Sequence, residues 1–154
     1  MNIFRRIISI LAMFALIGGG MVYILFRSES IMMFKWLPFL GSVRKMISVN
    51  HDIHYPDFLI YSMPDGLWLL SYILLIGTIW NFKYQRCLYI IMLLPIFAIS
   101  HEILQLYHLV PGRFDVLDVV VYVIATITGL SVLVLSNYFT NIKVKHYEKE
   151  FDCY

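Results

Sequence analysis

The chain alternates long apolar runs with short polar breaks, and the runs are too long for the interior of a small soluble domain. Residues 7–26 contain no charge and follow Arg5 and Arg6. A second run covers about 67–82, with Trp68, Trp80 and Tyr84 near its ends, where aromatic rings favour the headgroup region. A third covers 87–109 and carries Pro95, which predicts a kink. A fourth, 118–138, is rich in β-branched residues. These count against a helix in water but little in lipid, where a lone segment can satisfy its backbone only as a helix. A crossing needs about 20 apolar residues for roughly 30 Å of hydrocarbon. The pattern therefore predicts an all-α membrane protein, a four-transmembrane-helix bundle forming one domain over residues 1–154. No Ala-x-Ala site ends the first run, so it reads as a span rather than a cleaved leader.

The outer segment between the first two spans, 27–66, is too apolar for a flexible linker. Its stretch Ile31 to Leu40 sets Met32, Met33, Phe34, Trp36 and Phe39 beside Lys35, a mixture suited to the membrane interface or to a lid on the helices. The tail, 139–154, is polar from Lys143 onward and reads as a frayed end.

Composition fits this picture: 60% of residues are hydrophobic and 14% charged. A formal charge of +2, spread along the chain, excludes a nucleic-acid surface. Orientation follows from the cations. With the amino terminus in the cytoplasm, the inner segments hold seven (Arg5, Arg6, Lys83, Arg86, Lys143, Lys145, Lys149) and the outer ones five (Arg27, Lys35, Arg44, Lys45, Arg113). That bias puts both termini in the cytoplasm. Cys87 and Cys153 fall beside cytoplasmic ends and read as reduced thiols.

Chemistry concentrates where the third span turns into the fourth. At 100° per residue His101, Gln105 and His108 share a sector of about 60°, with Glu102 about 60° further round. Beyond the Pro111-Gly112 turn, Asp115, Asp118 and Tyr122 align if the fourth helix starts early, with Thr126 and Gly129 continuing the stripe. Ionisable groups at this depth avoid lipid, so Arg113 is expected to pair with Glu102, Asp115 or Asp118, with Gln105 completing the hydrogen bonds. Such a network either glues two helices or holds a ligand. Asp65 opens the second span after Pro64, either as a dipole-favoured helix start or as part of the same site, with Trp68 and Tyr72 on its side of the helix. The candidate ligand-binding set is thus Asp65, His101, Glu102, Gln105, Arg113, Asp115, Asp118 and Tyr122.

No catalytic residue is assigned. His101-Glu102-x-x-Gln105 departs from the zinc-protease helix motif because Gln105 stands where a second imidazole is needed, so no metal is expected. No nucleophile elbow, Walker loop or dinucleotide fingerprint occurs, and no cofactor is implied.

Taken in order, Glu102-x-x-Gln105, Gly112-Arg113-Phe114-Asp115-x-x-Asp118, Tyr122 and Gly129 resemble the E-x-x-Q, R, D-x-x-D, N, G pattern of VanZ-like membrane proteins. The spacing from Arg113 to Asp115 is one residue short of that pattern, Tyr122 replaces its Asn, and Gly66 and Trp68 stand where it has Lys and His. The resemblance implies the bacterial inner membrane, a role at the cell envelope and, in one branch of the family, antibiotic resistance toward glycopeptides of the teicoplanin type. Membrane lipids are then the expected partners, through lipid binding at an outward-facing pocket. Two other functions stand beside it. One is an enzyme acting on an envelope lipid, with Glu102 or Asp118 as base and Arg113 holding a phosphate. The other is an accessory subunit of a membrane complex, in which Gly18, Gly19 and Gly20 admit a partner helix closely.

Overall fold

A computed structural model describes residues 3–27, 32–47, 55–81 and 84–151. These residues are helical, with no strand among them, and form seven helices: α1 (Ile3–Phe26), α2 (Met32–Trp36), α3 (Phe39–Met46), α4 (Asp57–Tyr61), α5 (Met63–Ile79), α6 (Tyr84–Leu106) and α7 (Val116–Phe151). Three helical stretches, Ile3–Phe26, Cys87–Leu106 and Val116–Phe139, are long and apolar enough to cross a membrane. Met63–Ile79 is equally apolar but shorter, at 17 residues.

The burial pattern is that of a protein solvated by lipid. Outward faces carry Phe14 at 70% exposure, Leu93 at 64% and Ile127 at 60%, a density of bare apolar surface that water does not tolerate. Inside, small and hydroxylated residues prevail: Ser62, Ser71, Thr78, Thr126 and Ser136 are all buried. With hydrocarbon outside, apolar burial no longer drives association, and close backbone approach takes over.

Helix α5 forms the centre, touching α1, α6 and α7. Three glycines set its approach to α7. A methyl group on Gly66 would lie 2.1 Å from Val121 Cγ1, one on Gly77 2.1 Å from Leu133 Cδ2, and one on Gly129 2.7 Å from Ile73 Cγ2. Gly129, expected on the polar stripe, therefore serves the apolar seam. On the other flank Gly19 fits beneath the Trp68 ring, where an added Cβ would meet it at 2.8 Å. Trp68 is thereby drawn into the bundle: its Nε1 donates to the Leu16 carbonyl at 3.3 Å and its ring packs 5.2 Å from that of Tyr23.

Two boundaries differ from expectation. Helix α6 stops at Leu106, not 109, because His108 adopts φ 57°. The His108 N–H then donates to the Gln105 carbonyl at 3.0 Å and the Leu109 N–H to the Leu104 carbonyl at 3.0 Å, the paired bonds of a left-handed helix terminus. His108 is consequently exposed and leaves the face it was expected to share with His101. At the other end α7 continues to Phe151 where a frayed tail is predicted. Once a helix is nucleated each further residue adds a bond, and Lys and Glu propagate it well. Lys83 and Cys153 lie outside the described residues, and the side chains of Arg86, Lys143, Lys145 and Lys149 are likewise not among those described.

The outer segment folds in part as α2, α3 and α4, with α3 and α4 against α1 and α4 also against α5. Phe34 and Leu40 are buried, while Trp36, at 76% exposure, projects outward with Leu37 and Phe39. Arg44 Nη1 donates to the Arg27 carbonyl at 2.7 Å, satisfying one of the orphan acceptors where α1 ends.

Candidate functional site

Successive long helices run in opposite directions, so the end of α1, the start of α5, the end of α6 and the start of α7 share one pole of the bundle. There Asp65, Trp68, Leu69, Leu94, Phe97, Ala98, His101 and Tyr122 line an open cleft of about 360 Å³ between α5, α6 and α7.

Each wall has a local cause. Asp65 sits in the first turn of α5 behind Pro64, which suits an early helical position because its missing N–H would have no partner there. It is partly buried. Phe97 and His101, four residues apart on α6, stack with ring centroids 6.3 Å apart. Gln105, one turn further, places its Nε2 3.1 Å from His101 Nδ1, so the amide donates and the imidazole accepts. Gly112 makes this possible: it has φ 141°, which side chains avoid, and a Cβ there would sit 2.6 Å from Gln105 Nε2. The turn thus folds over the Gln105 amide, which in turn steadies the His101 ring at the cleft wall.

Behind the cleft stand two more carboxyls. Glu102 is only 6% exposed. Asp118, in the first turn of α7, is partly buried and its Oδ1 has no hydrogen-bond partner. Asp65 lies within electrostatic reach of both, and of Arg27, and Tyr122 feels the same four groups. Three acidic side chains, a phenol and a guanidinium from four helices therefore converge.

The expected cation is not the one found. Arg113 is exposed in the turn, and no hydrogen bond or ion pair holds it to a carboxylate among the described residues. Arg27 occupies that role from the end of α1. Its guanidinium lies 5.2 Å from the Tyr23 ring centroid and 4.8 Å from that of Tyr61, and Nη2 donates to the Tyr61 carbonyl at 3.3 Å. Arg113 follows a Pro-Gly turn that carries it into the open, whereas Arg27 is clamped between aromatic rings. A signal for Arg27 was present: where two helices pack antiparallel, the end of the first and the start of the second lie at the same pole.

Asp115 also differs from expectation. It precedes α7 and caps it, its Oδ1 accepting the Leu117 N–H at 2.8 Å, the usual service of an acidic residue at that position. Its carboxylate is exposed, and only its backbone N–H turns toward the cluster, reaching Glu102 Oε2 at 3.5 Å. Thr126 binds back to the Tyr122 carbonyl at 2.7 Å rather than extending the polar stripe. Tyr72, on the Asp65 side of α5, donates its hydroxyl to the Ile90 carbonyl and so ties α5 to α6. Of the eight candidate residues, Asp65, His101 and Tyr122 line the cleft, Glu102, Gln105 and Asp118 back it, and Arg113 and Asp115 stand apart. Trp68 and Phe97 complete the lining, and Arg27 stands outside it within electrostatic reach of Asp65. No group of three or more His, Cys, Asp or Glu side chains able to hold a metal occurs among the described residues.

No family model, no curated protein and no solved structure matches this chain.

Proposed function

We propose that the chain is a VanZ-like protein of the bacterial inner membrane, crossing it four times with both termini cytoplasmic. Its outward-facing cleft binds a lipid head group, a lipid-linked glycan or an amphiphilic antimicrobial. The observation that carries this reading is the composition of the cleft: Asp65, His101 and Tyr122 sit beside Leu69, Leu94, Phe97 and Ala98 in one open cavity. A molecule with a polar head and an apolar chain satisfies both halves at once.

The fourth crossing is α5. Its 17 residues span only about 25 Å, less than the hydrocarbon thickness. Contact with α1, α6 and α7 supports the crossing, because most of the length of α5 then meets protein rather than acyl chains. The cation bias along the chain supports the orientation. A reporter fused after Lys149 should be active only in the cytoplasm. Activity only outside would reverse the topology.

The binding reading is tested by native mass spectrometry of the chain purified in mild detergent. Wild type should retain an amphiphile that Asp65→Ala and Tyr122→Ala variants lose at equal membrane abundance. Identical bound species in all three would remove the cleft from consideration.

A second reading, an accessory subunit, draws on α1. Gly18 has nothing within 4 Å of an added Cβ and lies one turn beyond exposed Phe14 on the same face of α1. Such a face suits a helix of another membrane protein, and a partner that co-purifies at fixed ratio and is lost on Gly18→Leu would favour it.

A further inference from the structure

We infer that the head group taken by the cleft is cationic, an ammonium carried on an alkyl or acyl chain. This inference rests on the amphiphile-binding reading above and narrows it to one charge class.

The lining decides the sign. Among the described residues, the cavity is lined by the rings of Trp68, Phe97, His101 and Tyr122 and by one carboxylate, that of Asp65, and by no Lys or Arg. Aromatic faces carry negative quadrupole potential, and a cage of rings with an adjacent carboxylate is how proteins recognise quaternary ammonium groups, whose hydration is weak enough to surrender. Glu102 and Asp118, behind the wall and within electrostatic reach of Asp65, deepen the same negative field. The nearest cation among the described residues, Arg27, lies outside the lining: its guanidinium packs on the rings of Tyr23 and Tyr61 and its Nη2 donates to the Tyr61 carbonyl, while its buried Nε has no hydrogen-bond partner. It moderates the cluster from outside. A phosphate or sulfate head would meet the Asp65 carboxylate in the lining, with Glu102 and Asp118 behind it and no cationic side chain among the described residues of the cavity wall. The remaining lining, Leu69, Leu94 and Ala98, runs along α5 and α6 below the rings and accepts the first methylenes of the chain. At about 360 Å³ the cavity holds a head group and a short length of chain and leaves the rest in the bilayer.

Trp68 supplies the probe. The chain has three tryptophans, and replacing Trp36 and Trp80 with Phe leaves Trp68 as the sole emitter, at the cleft wall. The full chain in nanodiscs of neutral lipid is titrated with dodecyltrimethylammonium brominated next to its head group, and separately with equally brominated dodecyl phosphate. Bromine quenches indole emission only at contact. The expected result is saturable quenching by the ammonium probe, reversed by unlabelled dodecyltrimethylammonium, with the phosphate probe at least about tenfold weaker. Asp65→Asn, which keeps the shape of the side chain, should weaken the ammonium probe about tenfold. Phe97→Leu should weaken it too, while sparing a neutral alkyl maltoside of the same chain length. Phosphate binding equal to or tighter than ammonium binding would overturn the charge assignment and leave an amphiphile cleft standing. Absence of saturable quenching by either probe, and by the brominated maltoside, would end both the charge assignment and the cleft-binding reading.

Discussion

The backbone N–H of Asp115 reaches Glu102 Oε2 at 3.5 Å, so the residue that caps α7 also fastens the start of that helix to the end of α6. Glu102 is therefore both a member of the acidic cluster and a strut between two helices. Glu102→Gln keeps an acceptor for Asp115 and removes a charge that opposes Asp65 and Asp118, so it should leave thermal stability in mild detergent equal or higher. Glu102→Ala leaves the part-buried Asp115 N–H without that acceptor and should lower stability by about 1 kcal/mol.

Arg27 and Arg113 are formally alike and should behave differently. Arg27→Ala removes the guanidinium packed on Tyr23 and Tyr61 and leaves Asp65 without its compensating cation. A loss of about 1–3 kcal/mol is expected, with Arg27→Lys only partly restoring it because an ammonium lacks the planar fork. Arg113→Ala should fall within about 0.5 kcal/mol of wild type. Melting curves of the three variants provide the check.

The seam between α5 and α7 should reject a single methyl group. Gly66→Ala drives Cβ into Val121 Cγ1, and overpacking of this kind costs about 1–3 kcal/mol. Val121→Ala in the same chain should recover most of the loss. A double-mutant cycle showing no coupling between the two positions would mean that α5 and α7 do not meet there.

Two turn residues carry unusual backbone angles, and their substitutions should act in opposite directions. His108→Gly relieves a non-glycine residue of its left-handed conformation and should raise stability by about 1 kcal/mol. Gly112→Ala places a side chain at φ 141° and against the Gln105 amide. It should lower stability by more than 1 kcal/mol on that scale and alter the His101 imidazole resonances, because Gln105 can no longer hold Nδ1.

Much of the helical layout is legible in the sequence because lipid leaves few options: an uncharged run such as 7–26 has only one way to satisfy its backbone. Asp65, His101 and Tyr122 are legible for a related reason, since ionisable groups at the ends of apolar runs must turn toward protein. What fails is local. Histidine at a left-handed helix terminus gives weak warning, so His108 is misplaced by periodicity. Capping and site-lining both favour an acidic residue, and Asp115 serves the first. Arg27 is 38 positions from Asp65, and only the antiparallel course of the helices brings them together, whereas Arg113 is near in sequence and turned away in space.

Helix α5 lies against three neighbours, with Asp65 at one end and Gly77 locked against Leu133 roughly 18 Å further along its axis. Those contacts leave the helix little freedom to move alone, so a shift imposed on Asp65 or Trp68 is carried along the rod toward the Gly77 to Leu133 contact at the far pole.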